Sequence, residues 1–189
     1  MRSLRIAAAV GLLLAAGLAD AACNDNILPN AVFENVVDTI TLAAVDGTPV
    51  NRPSALDIAT APVPRAVRTD LLASWDFVFN IDTLGRALLI PSNMLHIAAS
   101  SGLTISTTPF SQLLEAPNNG YNQDSATVVF PGVTVAIRSR LINCELGQLF
   151  YYGKLRVLDV NLVTRELKFE VLADINCGYR SLAPGHATR

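Results

Sequence analysis

The chain has 189 residues, with 14 Lys and Arg against 16 Asp and Glu, for a net charge of −2. Without a basic excess or a run of like charge, nucleic acid is excluded as a partner. With 51% hydrophobic residues, the chain is long enough for one domain with a substantial core.

Arg2 and Arg5 precede the uncharged run Ile6–Leu18, and small residues follow it. These are the three parts of a secretory signal. A membrane-spanning helix needs ~20 apolar residues, more than this run supplies, and no comparable run follows. Residues 1–22 are therefore expected to be a cleaved signal peptide. A tether follows over 23–35, then a single domain over 36–183 and a flexible tail over 184–189.

Two processing routes compete at the cut. Ala19-Asp20-Ala21 fits a small-x-small site and would release a soluble protein beginning at Ala22. Ala21-Ala22-Cys23 matches the end of a bacterial lipobox, which would place a diacylglyceryl thioether on Cys23, although Asp20 stands where an apolar residue is usual. Cys23, Cys144 and Cys177 make an odd number for an exported chain. Acylation of Cys23 leaves two cysteines to pair, and so the arithmetic favours the lipid anchor.

Val36–Ala44 is rich in β-branched residues and ends at the turn pair Asp46-Gly47. Four prolines between residues 49 and 65 exclude long helices and central strands, leaving Ser54–Thr60 as a short strand. Ser74–Ile81 alternates, with Trp75, Phe77, Phe79 and Ile81 on one side and Asp76, Val78 and Asn80 on the other. A turn at Asp82–Gly85 returns it to Arg86–Ile90 as a hairpin. Thr108 caps one short helix that starts at Pro109, runs through Phe110–Glu115 and stops at Pro117. Ala126–Phe130 and Val133–Arg140 are strands on either side of Pro131-Gly132.

The strongest pattern is the final hairpin. In Phe150–Val157, Tyr151, Gly153, Leu155 and Val157 share one face, and Lys154 and Arg156 share a wet one. In Glu166–Ala173, Leu167, Phe169, Val171 and Ala173 oppose Lys168 and Glu170. Opposite charges on the wet face can pair across the strands. Short strands, many turns and one brief helix predict an all-β antiparallel sandwich or barrel.

Cys144 and Cys177 flank that hairpin, and export favours a disulfide between them, worth roughly 4 kcal/mol in the chain-entropy model. No third or fourth ligand stands at zinc spacing, so no metal site is expected. His96 and His186 are the only histidines, and no nucleophile elbow, zinc-protease helix or phosphate loop occurs. No catalytic residue is assigned, and an uncharacterised hydrolase is retained only as a remainder. Trp75 reads as core rather than as a stacking platform. Met94 and His96, two apart, could present a thioether and an imidazole on one strand face, a ligand pair suited to haem; the alternative is a surface histidine on an edge strand. Tyr151 and Tyr152 are adjacent, so at most one of them faces a pocket.

The order ACNDN, SWDFVF, PGVTVAIRSR and FYYGKLRV…LKFEVL…NC resembles families of uncharacterised bacterial lipoproteins over most of the mature chain. More distantly, the Trp-Asp-x-x-Phe strand and the late Tyr-x-Lys-Leu hairpin resemble HmuY-like haem-binding lipoproteins, which are all-β. The N-terminal signal and the two cut sites lead to the expectation of an exported lipoprotein of the outer membrane or facing the periplasm, with a secreted soluble protein as the alternative; the resemblance supports the all-β reading. Lipidation at Cys23 would attach the chain to a membrane, and the absence of catalytic motifs leads to the expectation that it acts on a protein or small-molecule partner by binding or structure; the resemblance supplies haem-type binding as the runner-up. Haem is the named small ligand, and no haem ligand is carried over residue by residue.

Overall fold

The computed structural model describes residues 28–72, 74–97 and 100–187. The signal peptide, Cys23 and the start of the tether lie outside the described residues. β-Branched and aromatic runs broken by Gly, Pro and Asn form strands and tight turns. The strands are β1 (Glu34–Asn35), β2 (Asp38–Ala43), β3 (Ala55–Asp57), β4 (Arg65–Val67), β5 (Phe77–Ile81) and β6 (Ala87–Pro91). They continue with β7 (Gly102–Ser106), β8 (Thr127–Val129), β9 (Thr134–Cys144), β10 (Gly147–Asn161), β11 (Glu166–Asp174) and β12 (Gly185–His186). Every pairing is antiparallel.

Two five-stranded sheets, ordered β2-β11-β10-β9-β7 and β4-β3-β5-β6-β8, form a β-sandwich rather than a closed barrel. The inward residues of period-2 strands make its core. Phe77, Phe79 and Leu89 come from one sheet, and Val135, Leu155, Leu167 and Phe169 from the other. Each is fully buried, and burying one such side chain stabilises by ~1.5–3 kcal/mol. The Phe77 and Phe169 rings meet across the sheets with centroids 6.4 Å apart.

The final hairpin forms as its alternation predicts, with Leu155 opposite Val171 and Arg156 opposite Glu170. The last two pair on the outer face at 2.7 Å. Two features differ from expectation there. Lys154 is not on a wet face: it is 1% exposed, beneath a second apolar cluster of Phe110, Leu113, Ala116, Tyr121 and Leu182. The helix expected from Thr108 to Glu115 is a single turn, in which the N–H groups of Gln112 and Leu113 both donate to the Pro109 carbonyl. Two prolines, Pro109 and Pro117, with only seven residues between them leave no room to propagate a helix. The chain instead bonds to residues 180–182: Ala116 N–H donates to Arg180 O, and Leu182 N–H to Leu114 O. Lys154 Nζ takes the carbonyls of Phe110 at 2.7 Å and Leu113 at 3.0 Å, so one buried ammonium pins this segment over the sheet.

Trp75 is buried, as expected, but on the other side from Phe77. It packs with Ala55, Val67 and Val78 on the outside of its sheet. The alternation breaks because β5 begins at Phe77, and Asp76, just before it, turns inward to Arg140.

Residues assigned to the tether and the tail also join the fold. Glu34 and Asn35 pair with His186 and Gly185, and His186 Nε2 lies 3.1 Å from Glu34 Oε1. Asn176 Oδ1 accepts the N–H groups of Val32 at 2.7 Å and Phe33 at 2.9 Å, while its amide donates to Phe33 O and Asp174 Oδ1. Burial pushes the Asp174 carboxyl above its ordinary value, against the hydrogen bonds from Asn176. Cys144 and Cys177 lie beside this clamp at disulfide distance, with Cα atoms 6.1 Å apart. Cys144 reaches there because β9 and β10 turn tightly between Cys144 and Gly147, where Gly147 takes φ +108°.

Candidate functional site

The end of the sandwich opposite the disulfide is built from three turns. β10 runs from Gly147, near the disulfide, to Asn161, so at ~3.3 Å per residue the two ends stand about 45 Å apart. In the β5–β6 turn, Asp82 Oδ1 accepts the N–H groups of Leu84 and Arg86, each at 2.9 Å. Gly85 supplies the left-handed residue at φ +75°. Asp82 Oδ2 takes Arg86 Nε at 2.7 Å. The Arg86 backbone N–H and then its side chain hold the Asp82 carboxyl below the usual carboxylate range.

The β10–β11 turn repeats the device. Asn161 Oδ1 accepts the N–H groups of Val163 and Thr164, both at 2.9 Å. Arg165, at φ +55°, reaches back to donate from Nε to Asp46 O and from Nη2 to Ile81 O, each at 2.8 Å. It thereby ties the β2–β3 loop and β5 to this turn. In the third turn, Val133 N–H donates to Phe130 O, and Gly132 N–H donates to Val157 O at 2.8 Å.

These turns hold large apolar side chains out in water. Leu84 is 76% exposed, Phe130 60%, Leu162 54% and Val163 92%. Phe130 and Leu162 line an apolar groove of about 320 Å³ with Ala87, Val128, Val129, Pro131 and Val160, and Leu84 and Val163 are the chain neighbours of its lining residues Gly85 and Leu162. A polar groove beside it is lined by Asp46, Asn80, Asp82 and Arg165. Scattered single apolar residues on a surface are ordinary, but a contiguous patch with a polar rim marks an interaction site. Side-chain-capped turns add rigidity, which lowers the ordering cost of docking.

The structure also brings together two carboxylates that no spacing in the sequence links. Asp57 of β3 and Asp76, preceding β5, both meet Arg140 of β9. Arg140 Nη1 lies 2.9 Å from Asp57 Oδ1 and 3.3 Å from Asp76 Oδ1. Asp76 also accepts the N–H of Arg140 and of Ile58, each at 2.8 Å, and Asp57 accepts that of Ala59. Burial raises the Asp76 carboxyl to about 6, against the opposing pull of Arg140. For Arg140, burial works against the charge, but the two aspartates outweigh it and its pKa lies above the ordinary value. With all four carboxylate oxygens accepting hydrogen bonds, this cluster is a tie between the sheets.

Met94 and His96 do not share a strand face. They lie in successive turns over residues 92–97, where Leu95 N–H donates to Ser92 O and His96 N–H to Asn93 O, and both are exposed. His96 takes φ +56°, a left-handed conformation that ends any extended run. Pro91 closes β6 just before, which is why the strand does not continue to His96. Tyr151 and Tyr152 point to opposite faces. Tyr151 lines a groove of about 290 Å³ beside the disulfide, and Tyr152 packs against the outer cluster.

Sequence reasoning missed the residues of the apolar end because it assigned them to turns. A signal was present: Asp-Thr-Leu-Gly, Phe-Pro-Gly and Asn-Leu-Val-Thr carry large apolar residues where turns usually place polar ones. Compared with family models, curated proteins and solved structures, the sequence and fold find no match.

Proposed function

We propose that this chain is an exported envelope lipoprotein, held to a membrane through Cys23, that acts without catalysis by docking a partner on the apolar end of its sandwich. The observation that carries the docking role is the apolar groove lined by the exposed Phe130 and Leu162, with Leu84 and Val163 exposed on the two side-chain-capped turns that adjoin it along the chain. The pairing distance of Cys144 and Cys177 supports the anchor, because it leaves Cys23 as the unpaired cysteine of an exported chain. Acyl chains at ~0.8 kcal/mol per buried CH₂ would make a multiply acylated anchor effectively permanent.

Two measurements test this. The intact mass of protein purified from its own cells should equal a chain starting at Cys23 plus a glyceride and acyl groups; a bare chain starting at Ala22 would remove the anchor. A photocrosslinking side chain at position 163 should give adducts in intact cells. The same side chain at position 71, where Leu71 is 65% exposed but outside the patch, should give none. Equal labelling at the two positions would remove the docking role.

A further inference from the structure

We infer that the disulfide end of the sandwich lies against the lipid bilayer, with its exposed apolar turns set among the headgroups. The inference rests on the acyl anchor proposed for Cys23 and says which face of the domain that anchor draws to the membrane. Cys23 and Leu28 are five residues apart in sequence. A fully extended chain spans at most ~3.6 Å per residue, so Cys23 stays within about 18 Å of Leu28. From there on the chain is fixed to the disulfide end. Tyr179 Oη donates to Pro29 O at 2.8 Å, and Asn176 Oδ1 accepts the N–H groups of Val32 and Phe33. A Cβ placed on Gly178, next to Cys177, would meet Leu28 Cδ2 at 2.5 Å and Leu149 Cδ1 at 3.6 Å, which sets Leu28 beside the β9–β10 hairpin. The opposite end stands about 45 Å off along β10, beyond that tether length.

What this end presents suits an apolar boundary. β7 begins opposite Arg138, and β11 ends at Asp174 opposite Tyr152. Beyond those points residues 141–144 and 147–150 pair only with each other among the described strands, as a two-stranded ribbon reaching past the sheet. Leu146 is exposed in the turn of that ribbon. Val32 and Phe33, also exposed, line a groove with the ribbon residues Asn143 and Cys144. A second turn, after β6, exposes Met94 and Leu95 and is bound to the base of the ribbon. Arg138 donates from Nε and Nη2 to Ser100 O, and Ser92 N–H donates to the main chain of Asp76, whose carboxylate takes the Arg140 N–H. Residues 92–97 and 141–150 together hold one acid, Glu145, one histidine, His96, and no Lys or Arg. Recognition of anionic headgroups needs clustered cations. This end instead fits the headgroup–acyl boundary, into which apolar side chains of interfacial segments seat by ~5–10 Å.

The test uses the acylated chain in its own membranes, its intact mass measured in the same preparation. A photocrosslinking side chain at position 146 should join phospholipid, and one at position 163, at the far end, should not. In vesicles, the side chain at position 95 should give lipid adducts equal within about twofold in phosphatidylcholine alone and with an anionic lipid added. Leu146→Asp should lower the adducts at position 95 about fivefold or more, with the Trp75 fluorescence unchanged. An acylated chain that gives no lipid adduct at position 146, or as much at position 163, overturns the inference and leaves the anchor standing. So does an adduct that joins position 146 to a protein. Adducts that require the anionic lipid, or that Leu146→Asp leaves unchanged, overturn the apolar contact. A bare chain starting at Ala22 removes the anchor and the inference with it.

Discussion

Asp76, its side chain wholly buried, accepts a hydrogen bond from the Arg140 backbone at 2.8 Å and lies 3.3 Å from the Arg140 guanidinium. One residue of β9 thus holds an acid of the facing sheet through both main chain and side chain. With Asp57 on the other flank, the arrangement ties β3 and the start of β5 to β9 across the interior.

The raised Asp76 carboxyl sets a pH dependence. In the unfolded chain this group loses its proton near 3.8, and in the fold near 6. Between those values the folded state holds the extra proton, so the contribution of Asp76 is fully present below about 4 and is lost as pH rises through 6. The stability of wild type minus that of Asp76→Asn should therefore fall by about 3 kcal/mol between pH 4 and 7, at 1.36 kcal/mol per unit. Urea unfolding of both proteins across that range measures it. A difference independent of pH would mean that the carboxyl titrates alike in both states.

Lys154 should matter locally. Burial lowers its pKa from the ordinary lysine value, against a raising effect of Glu170, yet its ammonium is the donor to two carbonyls. In Lys154→Met both acceptors lose that donor, at about 1–3 kcal/mol for a buried group left unpaired. Amide exchange of Ala116 and Leu182, which bond residues 114–116 to 180–182, should accelerate more than exchange in β11. Uniform acceleration would show that Lys154 supports the whole domain rather than the covering segment.

The pair Cys144 and Cys177 closes a loop over a sequence separation of 33. Replacing both by Ser should lower stability by about 4 kcal/mol in the chain-entropy model. Non-reducing intact mass should gain two hydrogens on reduction of the wild-type pair. If the double variant unfolds at the same urea concentration as the wild type, the link contributes nothing to the folded domain.

The apolar end should tolerate change without loss of stability. Leu84 and Val163 are 76% and 92% exposed, so the L84D/V163D variant should unfold within about 0.5 kcal/mol per site of wild type. Trp75, the only tryptophan and 2% exposed, gives a fluorescence signal for that comparison from outside the patch. A large destabilisation would mean that these side chains support the turns they occupy.

The sequence carried the strands wherever one side chain in two was apolar over several residues. The Phe150–Val157 and Glu166–Ala173 pair, the hairpin through Phe79, and the strands flanking Pro131-Gly132 were all legible for that reason. Short elements were not. β4 has three residues, too few to show a period, and β7 holds two apolar residues among Gly, Thr and Ser. Burial of Lys154 was invisible because periodicity tells which face a side chain takes but not what later covers that face. The Asp57–Arg140–Asp76 tie escaped for a different reason: its members lie 19 and 64 residues apart along the chain and meet only once the sheets stack. Met94 and His96 do not share a strand face because two-residue spacing implies one only in an extended chain, and this chain turns there.

The direction of β2 has a mechanical consequence. The strand leaves the clamp around Asn176 and runs toward the apolar end, with Asp38 opposite Val171 and Ala43 opposite Glu166. Tension between Leu28 and Val163 would therefore pull β2 and β11 lengthwise past each other. Ladder bonds lie perpendicular to their strands, so such a pull loads all six registered positions together rather than parting them one at a time. Tugged from its two ends, the sandwich is braced in shear.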